Sequence, residues 1–260
     1  MSTAADRKKS SGKAVPRRAV LAGGATVLLG WVVRAGQKPP AGTVPVSGLP
    51  SYCRWGYLID TTKCIGCGNC VRACRTENHV PENNWRTWVE RYLYLEENGE
   101  VRVQVEAPKG GEQGYSEVDP KKVIKGFFVP KICNHCVQPS CVRVCPASAT
   151  FITPEGVVLV DDKWCIGCGY CVQACPYDMR FIDEKRGVAS KCTWCYHRIT
   201  KGYKPACVVA CPTGARSFGD LRDPHDPVTR AFRQGRVYVL RPETGNDPQV
   251  RYTALDREVI

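Results

Sequence analysis

The chain has 260 residues, of which 43% are hydrophobic and 24% are charged, with a formal net charge of +12 and 17 cysteines. A small disulfide scaffold is disfavoured, because the chain is long enough to bury a core and its cysteines stand in runs too close to pair within themselves. The charge does not indicate nucleic-acid binding, since residues 1–35 hold seven basic residues and one acidic residue and no basic stripe with stacking aromatics follows.

The N-terminal residues have the outline of a targeting segment. A basic stretch ending in Arg17 and Arg18 precedes a mildly apolar run over residues 19–33. This order predicts a twin-arginine-type export signal over residues 1–35, a linker over residues 36–55 and a periplasmic or extracytoplasmic location. The alternatives are a disordered tail and a retained membrane anchor, although the apolar run spans only about 22 Å as a helix, less than a hydrocarbon core of about 30 Å.

Sixteen of the cysteines form four quartets. The first and third have the spacing C-x2-C-x2-C-x3-C, the second reads C-x2-C-x4-C-x3-C-P, and the fourth widens its middle gap to eleven residues. In chain order the quartets are Cys64, Cys67, Cys70 and Cys74; Cys133, Cys136, Cys141 and Cys145; Cys165, Cys168, Cys171 and Cys175; and Cys192, Cys195, Cys207 and Cys211. Cys53 belongs to none of them and is predicted to be a free thiol.

The spacing is typical of [4Fe-4S] clusters. Gaps of two residues let one loop bring three thiolates to three iron corners, and the glycines of the CIGCG sequence let the backbone approach the sulfides. The x3 step turns the fourth cysteine away from that cube, so it is predicted to serve a neighbouring cluster, as in bacterial two-cluster ferredoxins. Residues 64–74 and 165–175 agree at nine of eleven positions, which indicates a duplicated module.

Zinc is the alternative cofactor. A zinc ribbon joins two C-x2-C pairs across a longer gap, and the fourth quartet alone has that form. Runs that end in x3-C are not typical of zinc knuckles, so four [4Fe-4S] clusters are predicted. A non-redox zinc-binding interaction protein stays a remote alternative.

The quartets are predicted to pair in a nested order. The second and third are close in sequence, with a predicted strand at residues 157–160 between them, and the first and fourth are then left to pair. The resulting ligand sets are Cys64, Cys67, Cys70 and Cys211 for cluster 1; Cys74, Cys192, Cys195 and Cys207 for cluster 2; Cys133, Cys136, Cys141 and Cys175 for cluster 3; and Cys145, Cys165, Cys168 and Cys171 for cluster 4.

The predicted fold class is α+β, with two pseudo-symmetric ferredoxin-like dicluster units, helices of no more than about three turns, and many loops. The outer unit comprises residues 56–80 and 186–216, and the inner unit comprises residues 123–185. Residues 81–122 are a hairpin insertion, and residues 217–260 are a C-terminal extension.

Two of these segments carry more detailed expectations. Within the insertion, residues 91–106 form a predicted hairpin around an Asn98-Gly99 turn, a polar surface excursion follows at residues 108–122, and a strand at residues 125–130 leads into the second quartet. The C-terminal extension is expected to be linker-like, with one strand at residues 237–240, and suited to wrapping a partner.

Motifs outside the quartet spacing resemble one family. They are KCTWCYHRI at residues 191–199, CPTGA at 211–215, FGDLRDP at 218–224 and VYVLRPETGNDPQVRY at 237–252. Together with the quartets they look like the iron-sulfur electron-transfer subunits of molybdopterin oxidoreductases related to polysulfide, tetrathionate and dimethyl sulfoxide reductases. The resemblance spans residues 56–252, and the only departure from the ferredoxin pattern is Arg75 in place of a proline after Cys74.

The resemblance implies an electron-transfer subunit with no substrate site of its own, no small-molecule substrate and no nucleic-acid partner. Its implied partners are a molybdopterin catalytic subunit and an integral-membrane quinone- or quinol-reactive subunit, and the nested pairing is the usual one in such proteins. The alternative in the same class is the iron-sulfur subunit of a formate dehydrogenase or hydrogenase complex. No residue is assigned a catalytic role.

Some residues near the quartets invite further expectations. His135 is expected to tune a cluster or to lie at a quinol-facing surface rather than to bind iron. The basic residues next to ligands, Lys63, Arg72, Arg143 and Lys191, are expected to raise reduction potentials by stabilising the more negative reduced cluster. Packing or interface contacts are the expected roles of four tryptophans, Trp85, Trp88, Trp164 and Trp194.

Overall fold

A three-stranded sheet holds the first and last parts of the fold together in the computed structural model, which describes residues 52–256 and residue 259. Its middle strand, β1 (Trp55–Asp60), pairs antiparallel with β9 (Arg216–Asp220) and parallel with β10 (Val250–Thr253). Alternate side chains of β1 point into the core, where Tyr57 and Ile59 are fully buried. The signal predicted for residues 1–35 and most of the predicted linker lie outside the described residues.

A second sheet has the order β3–β2–β4 and is antiparallel throughout, with β2 at Thr87–Glu97, β3 at Glu100–Glu106 and β4 at Val123–Ile132. Asn98 and Gly99 join β2 to β3 with φ values of +55° and +81°, the positive values that a type I′ turn requires. The predicted hairpin and the strand at residues 125–130 are confirmed. β2 begins earlier than predicted because its first residues pair with β4 and not with β3.

Short elements accompany the cysteine motifs. The helices are α1 (Asn69–Asn78), α2 (Ser140–Arg143), α3 (Tyr170–Gln173), α4 (Tyr196–Ile199), α5 (Ala206–Val209) and α6 (Pro227–Arg233). Two small hairpins follow the second and third quartets: β5 (Thr150–Ile152) with β6 (Val158–Val160), and β7 (Arg180–Asp183) with β8 (Val188–Lys191). The ten residues of α1 make just under three turns, and β6 is the strand predicted at residues 157–160. Short helices and small sheets confirm the α+β class.

None of the helices found between residues 52 and 256 is both long enough and apolar enough to span a membrane.

The excursion at residues 108–122 is exposed along most of its length, as predicted, but its first turn is not. Gly110 and Gly111 are buried, and Gly110 packs against the indole of Trp85. The Glu112 carboxylate accepts hydrogen bonds from the Arg75 guanidinium on α1, with Nε and Nη2 each 3.1 Å from a carboxylate oxygen. The insertion therefore covers the first cysteine motif.

The extension after residue 216 is not linker-like, and this prediction is wrong. It supplies β9, α6 and β10, and both outer strands of the central sheet come from it. At residues 237–240 only an isolated bridge between Tyr238 and Tyr252 forms. The local sequence did not reveal β10 because a strand of four residues is specified by the partner it pairs with and not by its own periodicity.

A substitution of Tyr252 tests whether β10 belongs to the core. Its side chain is fully buried and its hydroxyl donates to the carbonyl oxygen of Pro130 at 3.1 Å. We expect Tyr252→Ala to lower the free energy of unfolding by about 3–5 kcal/mol, because it leaves a cavity and an unpaired carbonyl. The measurement is the thermal midpoint of the anaerobically purified protein.

Tyr238→Ala is the matched control for this substitution. Its backbone pairs with Tyr252, but its side chain is 48% exposed, so we expect a change within about 0.5 kcal/mol. Equal shifts in the two variants would contradict the position of β10 in the core.

Candidate iron-sulfur centres

Group 1 forms where the first cysteine loop meets the end of the fourth quartet, and it contains Cys64, Cys67, Cys70 and Cys211. The loop follows a 3-10 turn at Thr61–Lys63 and leads through Gly68, with φ +69°, into α1. Burial raises the pKa of Cys64 to about 11, and the charges of Cys70 and Cys211 add to this rise. Cys70 in turn lies within electrostatic range of Cys67 and Cys211. Cys211 follows α5 and reaches this loop from the far end of the chain.

Group 2 lies about one turn further along the same face of α1 and contains Cys74, Cys192, Cys195 and Cys207. The Asn78 side-chain amide nitrogen lies 3.6 Å from Cys74 Sγ and 3.7 Å from Cys195 Sγ, so it bridges the two quartets. Burial raises the pKa of Cys192, and the charges of Cys74 and Cys207 contribute to this rise. Cys207 Sγ is 3.1 Å from the Tyr57 hydroxyl on β1.

Group 3 contains Cys133, Cys136, Cys141 and Cys175. Burial raises the pKa of Cys136, and the charges of the other three cysteines add to the rise. The first three members follow β4 and precede or begin α2, whereas Cys175 comes after α3.

Group 4 surrounds a small cavity. Its members are Cys145, Cys165, Cys168 and Cys171, and all four line this cavity together with Thr150, Ile166 and Ala189. The backbone N–H of Ala189 on β8 donates to Cys165 Sγ at 3.3 Å. Three members come from the third motif and one from the second.

Each of the four groups therefore combines three cysteines of one quartet with the last cysteine of another. Their ligation of iron stays a prediction. Burial raises the pKa of eight of these sixteen thiols, so a metal cofactor that binds them as thiolates must supply compensating positive charge.

A single metal ion would need a tighter arrangement of ligands. Within residues 52–256 and residue 259, no group of three or more His, Cys, Asp or Glu side chains is placed to hold one metal ion. In a cubane cluster each thiolate binds its own iron corner, so the sulfurs need not converge on one point. The thiol-only donor sets and the glycine-rich loops fit such a cluster.

Three buried basic side chains lie among the groups: Arg180, Lys191 and Arg216. Arg180 Nη2 donates to Cys141 Sγ at 3.1 Å, and Lys191 Nζ donates to Cys133 Sγ at 3.7 Å. Burial lowers the pKa of Arg216, but the nearby charges of Cys70 and Cys207 more than offset this, so its pKa is raised well above the usual value. The side chains are only 5%, 2% and 3% exposed, respectively.

Sequence reasoning found only one of these three cations. Of the four basic residues expected to act on clusters, Lys191 alone is buried at a sulfur, whereas Lys63, Arg72 and Arg143 are exposed. Proximity in sequence did not indicate burial, because Arg72 on α1 and Arg143 at the end of α2 lie on the exposed sides of helices whose other residues bear the cysteines. Arg180 and Arg216 carried a signal that was missed: each follows the last cysteine of its quartet by five residues.

His135 is 1% exposed, so of its two expected roles the surface position is wrong, and the tuning of a cluster stays a prediction. Its ring stacks on Trp194 with centroids 4.2 Å apart, and its Nδ1 accepts a hydrogen bond from the Val158 N–H at 3.1 Å. Nε2 therefore carries the proton of the neutral ring. Burial lowers the pKa of His135 well below its usual value, and the charges of Lys191 and Arg180 lower it further.

The four tryptophans and Cys53 differ in how far they are buried. Trp194 is buried, and Trp85 and Trp88 pack against the core, which confirms the prediction for these three tryptophans. Trp164 is 68% exposed. Cys53 is a buried free thiol in an apolar cluster, and burial there raises its pKa to about 12.

Gly68 and Gly169 occupy the same place in the two copies of the repeat and test the packing of the first loop. Their φ values are +69° and +78°, so alanine bears a cost of about 1–2 kcal/mol at either position. A Cβ on Gly68 would also overlap the carbonyl oxygen of Gly111, whereas one on Gly169 would have no neighbour within 4 Å. We expect Gly68→Ala to lower the thermal midpoint and the iron content per chain more than Gly169→Ala. Equal effects of the two substitutions would argue against the contact between the insertion and this loop.

Comparison with known proteins agrees with the geometry of these groups. The 4Fe-4S dicluster domain family matches residues 124–221, and a second 4Fe-4S dicluster domain family matches residues 63–149. A tetrathionate reductase subunit of Salmonella typhimurium is 44% identical over 80% of this chain and 75% of its own length. A protein of Halobacterium salinarum named as the iron-sulfur subunit of a dimethyl sulfoxide reductase is 35% identical over 76% and 78% of the two sequences.

A polysulfide reductase subunit of Wolinella succinogenes is 31% identical over 76% of this chain and 92% of its own length. These matches extend over both dicluster regions and over most of each relative. The chain therefore belongs to the family of 4Fe-4S dicluster iron-sulfur subunits that includes tetrathionate, dimethyl sulfoxide and polysulfide reductase subunits.

Proposed function

We propose that this chain carries four [4Fe-4S] clusters and relays electrons between a molybdopterin catalytic subunit and a membrane quinone- or quinol-reactive subunit of a respiratory reductase. The observation that carries the proposal is the gathering of sixteen cysteines into four groups, each built from two motifs. When bound, each cluster accepts and releases a single electron at a potential set by its surroundings.

The chain's own residues would bind, insulate and orient these centres. Groups 1 and 2 would form an outer unit from residues 56–80 and 186–216, and groups 3 and 4 would form an inner unit from residues 123–185. The aromatic side chains of Tyr57, Trp194 and Phe218 pack together beside group 2 and keep water from it, with ring centroids 5.6–6.1 Å apart. We assign no substrate site to this chain.

Exposed apolar residues beside group 1 and beside group 4 support contacts with partner proteins at these two sites. Trp164, Ile166 and Tyr170 are 57–68% exposed beside group 4, and Ile65 and Val209 are 59% and 65% exposed beside group 1. Clustered exposed apolar side chains are typical of subunit interfaces. The relatives named as tetrathionate, dimethyl sulfoxide and polysulfide reductase subunits favour such a complex over a formate dehydrogenase or hydrogenase.

The cofactor content and its connections can be measured together. Anaerobically purified protein should contain about sixteen irons and about sixteen acid-labile sulfides per chain. The double variant Cys64→Ala/Cys211→Ala should alter the EPR signal of one cluster, since both residues belong to group 1. Cys207→Ala/Cys211→Ala should alter two signals, although these residues are closer in sequence. Zinc without acid-labile sulfide, or the reverse pattern of signals, would refute the assignment.

The partners can be identified by purifying the tagged full-length chain anaerobically from detergent-solubilised membranes of its natural host. We expect molybdenum and an integral-membrane protein to copurify, and a quinol added to the complex to reduce the clusters, seen as bleaching of their visible absorption. A complex without molybdenum or tungsten would overturn the proposed catalytic partner.

Export by the twin-arginine route predicts that changing both Arg17 and Arg18 to lysine leaves the folded chain in the cytoplasm.

A further inference from the structure

The three buried cations, Arg180, Lys191 and Arg216, have no carboxylate partner. In the part of the chain that the structure describes, no Asp or Glu oxygen lies within ion-pair distance of any of them. A buried charge is stable only when it is compensated nearby. The anionic neighbours that remain are the cysteine sulfurs, so the position of each cation relative to the four groups determines what it acts on.

Arg180 lies between groups 3 and 4. Its Nη2 donates to Cys141 Sγ of group 3 at 3.1 Å, and Cys133 of the same group is also within electrostatic range. On its other side the guanidinium interacts with Cys171 of group 4, and Nη1 donates to the Thr150 hydroxyl at 3.3 Å, which lines the cavity of that group.

Arg216 lies between groups 1 and 2. Its guanidinium interacts electrostatically with Cys70 of group 1 and with Cys207 of group 2. Nη1 donates to the Tyr57 hydroxyl at 3.3 Å, and that hydroxyl contacts Cys207 Sγ at 3.1 Å. Nη2 donates to the Thr87 hydroxyl at 2.8 Å, so the guanidinium is fixed by neutral groups and keeps its full charge.

Lys191 lies between groups 2 and 3, and thus between the outer and inner units. Its Nζ donates to Cys133 Sγ of group 3 at 3.7 Å and also to the carbonyl oxygen of Cys192, a member of group 2. Every junction in the series of four groups therefore contains one buried cation.

Two of these positions have the same local sequence context. Arg180 and Arg216 each stand five residues after the last cysteine of their quartet, in the sequences CPYDMR and CPTGAR. Each begins the strand that follows its quartet, β7 or β9. A Cys-Pro sequence followed by a strand thus places an arginine at the junction inside each unit, and Lys191, at the end of β8, occupies the junction between the units.

We propose that Arg216, Lys191 and Arg180 raise reduction potentials. Each of these cations stabilises the reduced form of the two clusters on either side of it. The inference rests on the proposed function, because it requires four clusters. A cluster with four thiolates gains one negative charge on reduction, and a cation in a poorly solvated interior interacts strongly with that charge. Because each cation lies between two clusters, it raises the reduction potentials of both.

The test is a redox titration of the full-length holoprotein followed by EPR, with Arg216→Gln, Lys191→Gln and Arg180→Gln compared with the unchanged chain. Each variant should lower two of the four midpoint potentials. We expect a fall of at least about threefold in the equilibrium constant for reduction, or about 28 mV for a one-electron couple at about 59 mV per tenfold.

The pattern of shifts requires no prior assignment of signals to clusters. Arg216→Gln and Arg180→Gln should lower two different pairs of potentials with no member in common. Lys191→Gln should lower one member of each pair. If the affected sets do not overlap in this way, or if all four potentials stay unchanged, the inference is wrong.

Two controls separate charge from packing. Arg180→Lys keeps the positive charge and should keep both potentials near their original values, whereas a purely structural role would show the same shifts as Arg180→Gln. Arg143→Gln removes an exposed arginine close in sequence to ligands of groups 3 and 4 and should shift none. If Arg180→Gln fails to assemble, the Arg216 and Lys191 variants still give one shared and one unshared potential each.

Iron analysis of the same samples keeps the two proposals apart. Fewer than four clusters in the unchanged chain would contradict the proposed function itself. About sixteen irons per chain together with the wrong pattern of potentials would contradict only the role of the cations.

Discussion

Negative charge in the interior is the constraint on which this structure depends. Burial raises the pKa of thiols in groups 1, 2 and 3, so their conversion to thiolate ligands requires positive charge nearby. The iron cores proposed for these sites would supply most of it, and Arg180, Lys191 and Arg216 supply the rest from within the protein. Folding and cofactor binding are therefore expected to be coupled.

The same constraint explains the topology. Cysteines that are far apart in sequence have to meet, and the central sheet brings their segments together. The register of β1 with β9 pairs Ile59 with Arg216, which places that arginine and the preceding Cys211 next to the loop that begins at Cys64. β10 then pairs with the other edge of β1, and the chain after residue 216 completes the core on which group 1 rests.

Local spacing was sufficient to predict the hairpin with its Asn98-Gly99 turn and the α+β class, because each depends on residues close together in the chain. The assignment of the sixteen cysteines to four clusters stays a prediction. β10 was missed, since its pairing with β1 is set by contacts between distant segments. The buried positions of Arg180 and Arg216 were missed for a related reason: a charged residue shows its burial only when the sulfurs that compensate it are in place.

The central claim is that each cluster is held by cysteines from two different motifs. Anomalous scattering at the iron edge from crystals of the anaerobically prepared holoprotein tests it most directly. We expect four compact iron peaks per chain, with Cys211 at the peak bound by Cys64, Cys67 and Cys70, and with Cys145 at the peak bound by Cys165, Cys168 and Cys171. A peak bound by all four cysteines of a single quartet, or single-ion peaks in place of clusters, would contradict the account.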